Sequence, residues 1–557
     1  MKQGTMFVKK LFGRFFLPAL FSSLALAVGS VADSLYVGRS IGENGLFVIG
    51  AAYPIYMVFS TLSIGMASGG AVHFAAALGE GKEKKARNIF FSTLFFDFVG
   101  IVLIVLLGLI LRDPLIRLLG AEGNGEMRSY VTLMLAVSPV LFLQAPLQYF
   151  VYADGNPRLA SAALVAGNLC DCAFGFLFIV VLKAGVIGSV YSTLCGAIVM
   201  ECVCLVHFVG GKGALGFRNC GKPSLKIAAR SFFTGFSTGA VYFYQFVTVL
   251  VINRILLNIG GEWGVAVYDV VYNLGSIVTA VTEGTSMALI ALVSTFYSER
   301  NAAGIRGSLR LAGISCFALT AVLGGGLALA APSCCFLFGI SADYLQEAAY
   351  AMRLYMASMA FACLNGALGA YFQSIASEKV SYLITALRSF VLLLLFAGLF
   401  SSGGYPVFWY CFLGAEAATF AVAASVAGRR KIFREDGCSV FSETFIGKPE
   451  EISDLCERVQ GFLSAQGESE KRSYFISLSA DEVFRLIAAN GDTVVLQFTL
   501  IYRKGEDCVL HFRDNARHFD LTQLSEEDEI GLRIIRSKAK SFYYRPQVGF
   551  NTLTVTF

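Results

Sequence analysis

Long apolar runs alternate with short polar segments over the first 430 residues of the chain. A helix needs about 20 mainly apolar residues to cross a bilayer. Twelve runs reach that length, at about 15–38, 46–72, 90–111, 129–152, 160–183, 186–209, 231–258, 265–295, 306–331, 347–374, 380–401 and 405–427. The pattern predicts an all-α polytopic membrane protein with twelve transmembrane helices.

The first run carries one ionisable side chain, Asp33, within residues 17–38. A charge at the centre of a membrane helix costs roughly 2.5–3.5 kcal/mol, so such a group is usually paired, protonated or functional. Asp33 is therefore the first candidate functional residue. The alternative is that Asp33 lies at headgroup level and ends the span, since Arg39 and Glu43 follow it.

An internal repeat divides the apolar part into two halves. Residues 65–87 align without gaps to residues 284–306, and Tyr149-Phe150 recurs as Tyr371-Phe372. Transporters commonly contain such repeats. The repeat predicts two parallel six-helix halves, 1–210 and 231–434, joined by a cytoplasmic linker at 211–230, with a cleft between them.

The connections alternate in charge. Lys and Arg concentrate in the connections at 79–87, 154–158, 210–230, 298–310, 377–379 and 428–435. Positively charged short loops remain cytoplasmic, so both termini are expected on the cytoplasmic side. The basic N-terminus leads into a long span with no small-residue cleavage site, which favours a retained first helix over a signal peptide.

Composition supports the membrane assignment and marks a second domain. The chain is 56% hydrophobic and 15% charged, outside the range of soluble globular proteins. Residues 1–434 contain 30 basic and 19 acidic residues, whereas 435–557 contain 14 and 20. This shift predicts a polar linker at 435–447 and a cytoplasmic domain at 448–557. The 14 cysteines lack zinc or redox spacing, which favours buried free thiols.

The tail pattern predicts a small α/β domain with helices layered on an antiparallel-rich sheet. The expected elements are helices at 449–466, 479–490 and 529–539, and strands at 474–478, 493–502, 508–512, 541–545 and 551–557.

Four segments of the apolar part resemble the multidrug and toxic compound extrusion (MATE) family. They are VADSLYVGRSIG at 31–42, YADGNPRLAS at 152–161, and the segments at 167–193 and 365–389. The resemblance covers residues 11–427. It implies two six-helix halves around a central cavity, in the plasma membrane of a prokaryote, with export exchanged for inward flow of protons or sodium.

The resemblance also implies site residues. Asp33 occupies the position of the family's first-span acid, a protonation site in the proton-coupled branch. In the fifth span Asp171 fills the first position of the family's polar or acidic pair, whereas Gly175 stands where relatives have the second acid. Asn168 lies on the same helix face as Asp171. We therefore expect Asp33 and Asp171 to carry proton coupling, with Asn168 in the substrate pocket.

Other polar residues in the spans are weaker candidates. Gln144 and Gln148 share one face of the fourth span, as pocket donors or as links between helices. Gln245 stands where the sodium-coupled branch has a glutamate, so that type of coupling is not expected, and Gln245 becomes a pocket candidate. Asp269, Glu283 and Glu416 are the acids in the spans of the C-terminal half, and ion pairs of some of them with Arg254 and Arg388 would close the bundle.

The tail resembles the nucleotide-binding domain of histidine kinases and anti-sigma-factor kinases, with eroded motifs. Glu482 is kept, but Leu486 replaces the magnesium-binding asparagine. Asp514 is kept, but Ala516 and His518 replace glycines, and the phosphate loop is reduced to Gly531. The tail is expected to be a non-catalytic module that docks a cytoplasmic protein regulator, with weak ATP binding as the alternative.

These observations predict a secondary antiporter that exports organic cations or amphipathic drugs in exchange for protons. It is expected to have no catalytic or metal site, no cofactor and no nucleic-acid partner. Two alternatives stay open. One is a transporter-like membrane sensor or partner-binding signalling protein, and the other is a flippase for lipid-linked precursors, which would need a basic cavity.

Overall fold

The computed structural model describes most of the 557 residues. The described ranges are 2–79, 82–209, 215, 221–298, 300–375, 377–430, 432–433, 438–446, 453–489, 495–503, 507–514, 530–547 and 550–557.

The first half and the long helix that follows it contain α1 (Lys2–Ile41), α2 (Glu43–Gly79), α3 (Glu83–Ile110), α4 (Arg112–Leu118), α5 (Gly125–Leu141), α6 (Gln144–Ala153), α7 (Pro157–Gly175), α8 (Ile187–Val209) and α9 (Leu225–Ser298). The rest of the membrane part contains α10 (Ala302–Leu329), α11 (Ala331–Leu337), α12 (Leu345–Ser374), α13 (Glu378–Ala386), α14 (Leu392–Ser401), α15 (Gly404–Phe408) and α16 (Tyr410–Arg429). Wider π-helical turns continue α7 at Phe176–Val181 and α13 at Leu387–Val391.

The described residues contain ten helical stretches that are long and apolar enough to cross a membrane. One of them, 238–297, is 60 residues long and bends at Gly261, where φ is 68° and ψ is −160°. A backbone of that shape suits glycine. The structure is thus a mostly helical polytopic membrane protein, and the count of twelve spans stays a prediction.

The predicted repeat extends through whole elements of the structure. Helices α3 and α4 recur as α10 and α11 with the same shift of 219 residues that relates 65–87 to 284–306. After α4 the chain turns at Gly120 (φ 76°), and after α11 it turns at the equivalent Gly339 (φ 83°). The repeat is confirmed as a structural repeat.

The halves meet through close glycine contacts between α2 and α9. Gly69 lies directly against the carbonyl of Ser231, and Gly235 lies against the carbonyl of Gly65, so no side chain fits at either glycine. Small residues allow helix backbones to approach in membranes. The two halves are therefore in van der Waals contact along these helices.

Helix α1 crosses between the halves. Its first turns, including Phe12 and Phe16, pack in one apolar cluster with Leu289 and Phe296 of α9. Farther along, Gly29 of α1 lies against α7 of the first half. The helix that carries Asp33 thus contacts both halves.

The tail is a five-stranded antiparallel sheet with strand order β1-β2-β3-β5-β4. Its elements are β1 (Cys438–Ile446), α17 (Ser453–Ala465), α18 (Glu470–Ala488), β2 (Val495–Arg503), β3 (Val509–Asp514), α19 (Ile530–Lys538), β4 (Ser541–Gln547) and β5 (Phe550–Thr556). Helices and sheet share one apolar core. The predicted α/β layering is confirmed.

Two tail predictions are wrong. The linker predicted at 435–447 contains β1, which pairs with β2 from Cys438↔Arg503 to Ile446↔Val495. Its Ser, Glu and Thr residues gave it a polar composition, although it is an edge strand. The strand predicted at 474–478 lies inside α18, because Ile476, Ala480 and Val483 repeat at helical spacing and are buried.

The tail contacts the end of the bundle from which it emerges. The guanidinium of Arg513 in β3 lies over the ring of Phe296 in α9, 5.4 Å from its centroid. Strand β1 also contacts α1.

Candidate functional site

A cavity of about 330 Å³ lies inside the bundle where α1, α2, α5, α7 and α8 of the first half meet α9. Its polar lining includes three carboxylates, Asp33, Asp171 and Asp269. The sequence predicted two of these acids in one pocket, and the structure brings them together and adds the third.

Asp33 lies on α1, and its Oδ1 atom is buried with no hydrogen-bond partner among the described residues. Gly175 of α7 provides the space beside it, since a Cβ built on Gly175 would lie 3.1 Å from that oxygen. The residue that replaces the family's second acid therefore borders the first acid directly. The carboxyl of Asp33 has a free acceptor that faces a cavity rather than a packed side chain.

Asp171 lies on α7 and also has a buried Oδ1 without a partner in the described part of the chain. It packs on α8 at Gly196, where a Cβ would lie 2.9 Å from the Cβ of Asp171. One turn earlier, Asn168 uses its Nδ2 to donate to the Leu164 carbonyl at 2.9 Å. Asn168 lines the cavity beside Asp171.

Asp269 is one of the acids of the C-terminal half that could have paired with Arg254 or Arg388, but it has a different partner. Its Oδ2 accepts a hydrogen bond of 2.9 Å from Ser34, the residue after Asp33, and its Cβ packs on Gly50 of α2. No basic side chain within the described residues pairs with it. One sequence signal could have found it, because the stretch 265–273 contains no Lys or Arg.

A second cavity of about 380 Å³ adjoins the first, and Asn168 and Asp171 line both. Gln144 and Gln148 line this second cavity together with Tyr149 and Tyr242, as expected of pocket residues. Gln245 is half-buried and is not among the lining residues of either cavity.

Aromatic rings form much of the first cavity's wall. Five tyrosines line it, at positions Tyr53, Tyr56, Tyr130, Tyr268 and Tyr272. The rings of Tyr53 and Tyr56 are nearly parallel, with centroids 6.3 Å apart. No Lys, Arg or His of the described chain lines this cavity. Carboxylates and tyrosine faces together make a surface that attracts cations.

Two other buried acids are arranged differently. Glu416 receives Arg388 at 3.0 and 2.7 Å through Nε and Nη2, and Asn365 donates to its other oxygen at 2.7 Å. This ion pair was predicted and is confirmed. Asp97 of α3 is fully buried and accepts a hydrogen bond of 3.0 Å from Ser63 on Oδ2. Its Oδ1 has no partner among the described residues, but Asp97 lines neither cavity.

Two of the three tail candidates are in direct contact. Glu482 of α18 lies so close to Gly531 of α19 that no side chain fits at the glycine. Asp514 is 3% exposed and accepts from Asn551 Nδ2 at 2.8 Å. Ala516 and His518 lie outside the described residues.

Part of the predicted first half matches a known family model. Residues 18–177 match the MatE family model. The probable multidrug resistance protein YoeA of Bacillus subtilis is 23% identical over 301 residues, 51% of this chain and 64% of that protein. An FAD transporter of Shewanella oneidensis is 28% identical over 129 residues, 23% of this chain and 28% of that protein. The chain thus matches less than two thirds of the length of each of these relatives.

Solved structures decide the fold. A multidrug resistance MATE family transporter of the MOP superfamily, in its inward-facing conformation, superposes with a TM-score of 0.66 at 20% identity, covering 74% of this chain and 96% of that chain. The chain has the MATE fold. An outward-facing conformation gives a TM-score of 0.58 at 21% identity, covering 75% and 94%. The predicted MATE fold is confirmed, and both of these solved structures are of transporters.

Proposed function

We propose that this protein exports organic cations or amphipathic cationic drugs in exchange for protons. The observation that carries the proposal is the MATE-fold cavity in which Asp33, Asp171 and Asp269 face five tyrosines without a basic residue among the described lining. A cation gains apolar contact and cation–π attraction from such a wall, and charge compensation from the carboxylates.

Proton coupling is assigned to Asp33, with Asp171 as its partner. Each has a buried oxygen that no described group satisfies, so each can hold a proton or face a cationic substrate. A carboxyl that binds a proton and a cation by turns exchanges one for the other. Since α1 contacts both halves, the state of Asp33 can bias the packing of one half on the other.

Transport of a fluorescent organic cation tests this function. Proteoliposomes with an imposed proton gradient should accumulate or release the cation with the gradient, and a protonophore should abolish that flux. Asp33→Asn should reduce gradient-driven flux to background. Asp97→Asn is the matched control, because Asp97 is a buried acid that also has an unpartnered oxygen among the described residues but lines neither cavity, and it should keep wild-type flux.

Three outcomes would contradict the proposal. Flux that is unaffected by collapse of the proton gradient removes the coupling, and wild-type flux in Asp33→Asn removes the site. Binding of the cation without counterflow favours a membrane sensor instead. A flippase for lipid-linked precursors is disfavoured already, since the cavity lining is acidic.

For the tail we propose a non-catalytic docking or regulatory role. The histidine-kinase-like resemblance places a phosphate loop at Gly531, and the carboxylate of Glu482 fills the space against that glycine. Leu486 occupies the position of the magnesium ligand, so phosphate charge has no metal to compensate it there. Isothermal titration of the full chain with Mg²⁺-ATP should detect no binding at micromolar concentrations; tight, magnesium-dependent binding would contradict the proposal.

A further inference from the structure

A third cavity, of about 490 Å³, lies at the end of the bundle from which the tail emerges. It is lined by residues of α10, α12 and α16 and by the segment that leads to the tail, namely Ala302, Arg306, Leu309, Tyr371, Ala427, Arg430, Ile432 and Phe433. It shares no lining residue with the two acidic cavities. A ligand in this cavity would therefore bind apart from the transported substrate.

The charge of this cavity is opposite to that of the substrate cavity. Arg306 and Arg430 both line it, and neither forms an ion pair with another residue in the described part of the chain. Tyr371, only 7% exposed, lies within electrostatic range of both guanidinium groups. No Asp or Glu is among the described lining residues, so the cavity presents two positive charges and a hydroxyl to an anion.

The internal repeat shows that the second half lacks the counterion that the first half places one turn before the equivalent arginine. In the first half Arg87 pairs with Glu83, one helical turn earlier, at 3.3 Å. The shift of 219 residues converts that pair into Arg306 and Ala302. The second half has kept the arginine and lost its internal counterion, and Ala302 itself lines the cavity.

The position of the cavity favours a lipid over a soluble anion. Helix α10 begins at the cavity, and farther along it Ile314, Phe317 and Val322 expose 58%, 47% and 71% of their surfaces. In a membrane protein such a face lies against acyl chains. Arg306, one turn into α10, and Arg430, directly after α16, therefore lie at headgroup depth, beside the apolar side chains of Leu309 and Ile432.

We propose that this cavity binds the phosphate headgroup of an anionic phospholipid. Guanidinium groups match phosphate oxygens with paired hydrogen bonds, and juxtamembrane basic residues attract anionic lipids. The proposal does not depend on the transported substrate or on proton coupling.

The site adjoins the segment at 432–433 that leads from α16 to the tail. Phe433 forms one wall, and it stacks on Tyr297 with ring centroids 5.5 Å apart and lies 5.4 Å from the Arg300 guanidinium. The neighbouring Phe296 contacts Arg513 of the tail sheet. A bound lipid would thus contact the same short segment that joins the tail to the membrane part.

Native mass spectrometry of the purified full-length protein tests the site. The protein in detergent is titrated with phosphatidylglycerol and, separately, with phosphatidylcholine. We expect preferential retention of phosphatidylglycerol by the wild type. Ala302→Glu, which restores the counterion found in the first half, and the double variant Arg306→Ala/Arg430→Ala should each weaken that retention about tenfold.

The controls separate the site from general basicity and from folding. Arg429→Ala removes an adjacent exposed arginine outside the cavity and should leave binding unchanged. Ala302→Glu keeps both arginines and only places a carboxylate side chain on the surface of α10, so it remains informative if the double variant does not fold. Equal phosphatidylglycerol retention by Ala302→Glu and wild type would overturn the proposal. Displacement of the lipid by millimolar glycerol phosphate would overturn the assignment to a lipid and indicate a soluble anion.

Discussion

Two sets of acids in the bundle differ in how their oxygens are bonded. Glu416 is bound on both oxygens, by the guanidinium of Arg388 and by Asn365. Asp33 and Asp171 each keep one buried oxygen without a partner among the described residues, and both face a cavity. The carboxylate of Glu416 thus has hydrogen bonds on both oxygens, whereas those of Asp33 and Asp171 each keep an oxygen that can bind a proton or face a cation.

The difference follows from the cost of charge in a low-dielectric medium. A carboxylate with a guanidinium beside it can stay ionised, and the pair then holds its helices together. A carboxylate without a basic neighbour persists only with a proton or a cation bound. Pairing and access to a cavity together therefore separate the acids that stabilise the bundle from those that can take part in exchange.

The largest effect is expected where a pair is broken. Arg388→Ala leaves Glu416 buried beside Asn365 without its cation, which should cost about 3 kcal/mol of stability. Unfolding in mixed micelles measures this loss. Arg353→Ala is the control, because Arg353 is exposed and contacts only the Ala328 carbonyl at 3.3 Å. An equal, small change in both variants would show that the pair contributes little.

In the tail, the cost of a buried charge can be tested on the imidazole of His511. Burial of His511, with the charge of Arg513 as a lesser cause, lowers the pKa of its imidazole to about 4. The unfolded chain, with a pKa near 6.5 at this residue, binds the proton first as the pH falls. The stability of the neutral form is therefore complete above pH 6.5 and is lost between pH 6.5 and 4, by about 2 kcal/mol at pH 5.

Hydrogen exchange of β3 and β5 at pH 7 and pH 5, corrected for intrinsic rates, measures this dependence. The opening free energy should fall at pH 5 in the wild type and change less in His511→Gln. Thr554, whose Oγ1 lies 3.0 Å from Nδ1 of His511, is retained in both proteins. The same pH dependence in both would assign it to other groups.

Asp171 should matter less to transport than Asp33 but through the same step. Asp171→Asn should slow gradient-driven cation flux about tenfold, about 1.4 kcal/mol. Because the two carboxyls line one cavity, the double variant Asp33→Asn/Asp171→Asn should be no slower than Asp33→Asn alone. If conditions leave measurable flux in Asp33→Asn and adding Asp171→Asn lowers that flux by a further tenfold, the two acids act independently.

Sequence predicted the features that depend on local pattern or repeated register. The apolar runs, the shift of 219 residues and the position of Asp33 are local or periodic properties, and each has its counterpart in the structure. The strand β1 and the full length of α18 were missed because composition at 435–447 and a short apolar run at 474–478 suggested a linker and a strand.

The role of Asp269 could not be predicted, because it depends on a contact across 235 residues with Ser34. The sequence offered Arg254 and Arg388 as partners for three acids, and only three-dimensional packing gives Arg388 to Glu416. Which acids stay unpaired is thus a property of the assembled bundle. The spacing of charges along the chain cannot predict which acids these are.

The smallest effect tests the space beside Asp33. Gly175→Ala places a methyl group 3.1 Å from the unpartnered oxygen, tighter than ordinary contact, so the carboxyl must shift. We expect flux to fall about fivefold, about 1 kcal/mol, with little loss of stability. Gly313→Ala is the matched control, since a Cβ there meets nothing within 4 Å and should leave flux unchanged. Equal flux in the two variants would mean that Asp33 needs no defined position. The difference between the paired Glu416 and the unpaired Asp33 and Asp171 would then depend on charge alone.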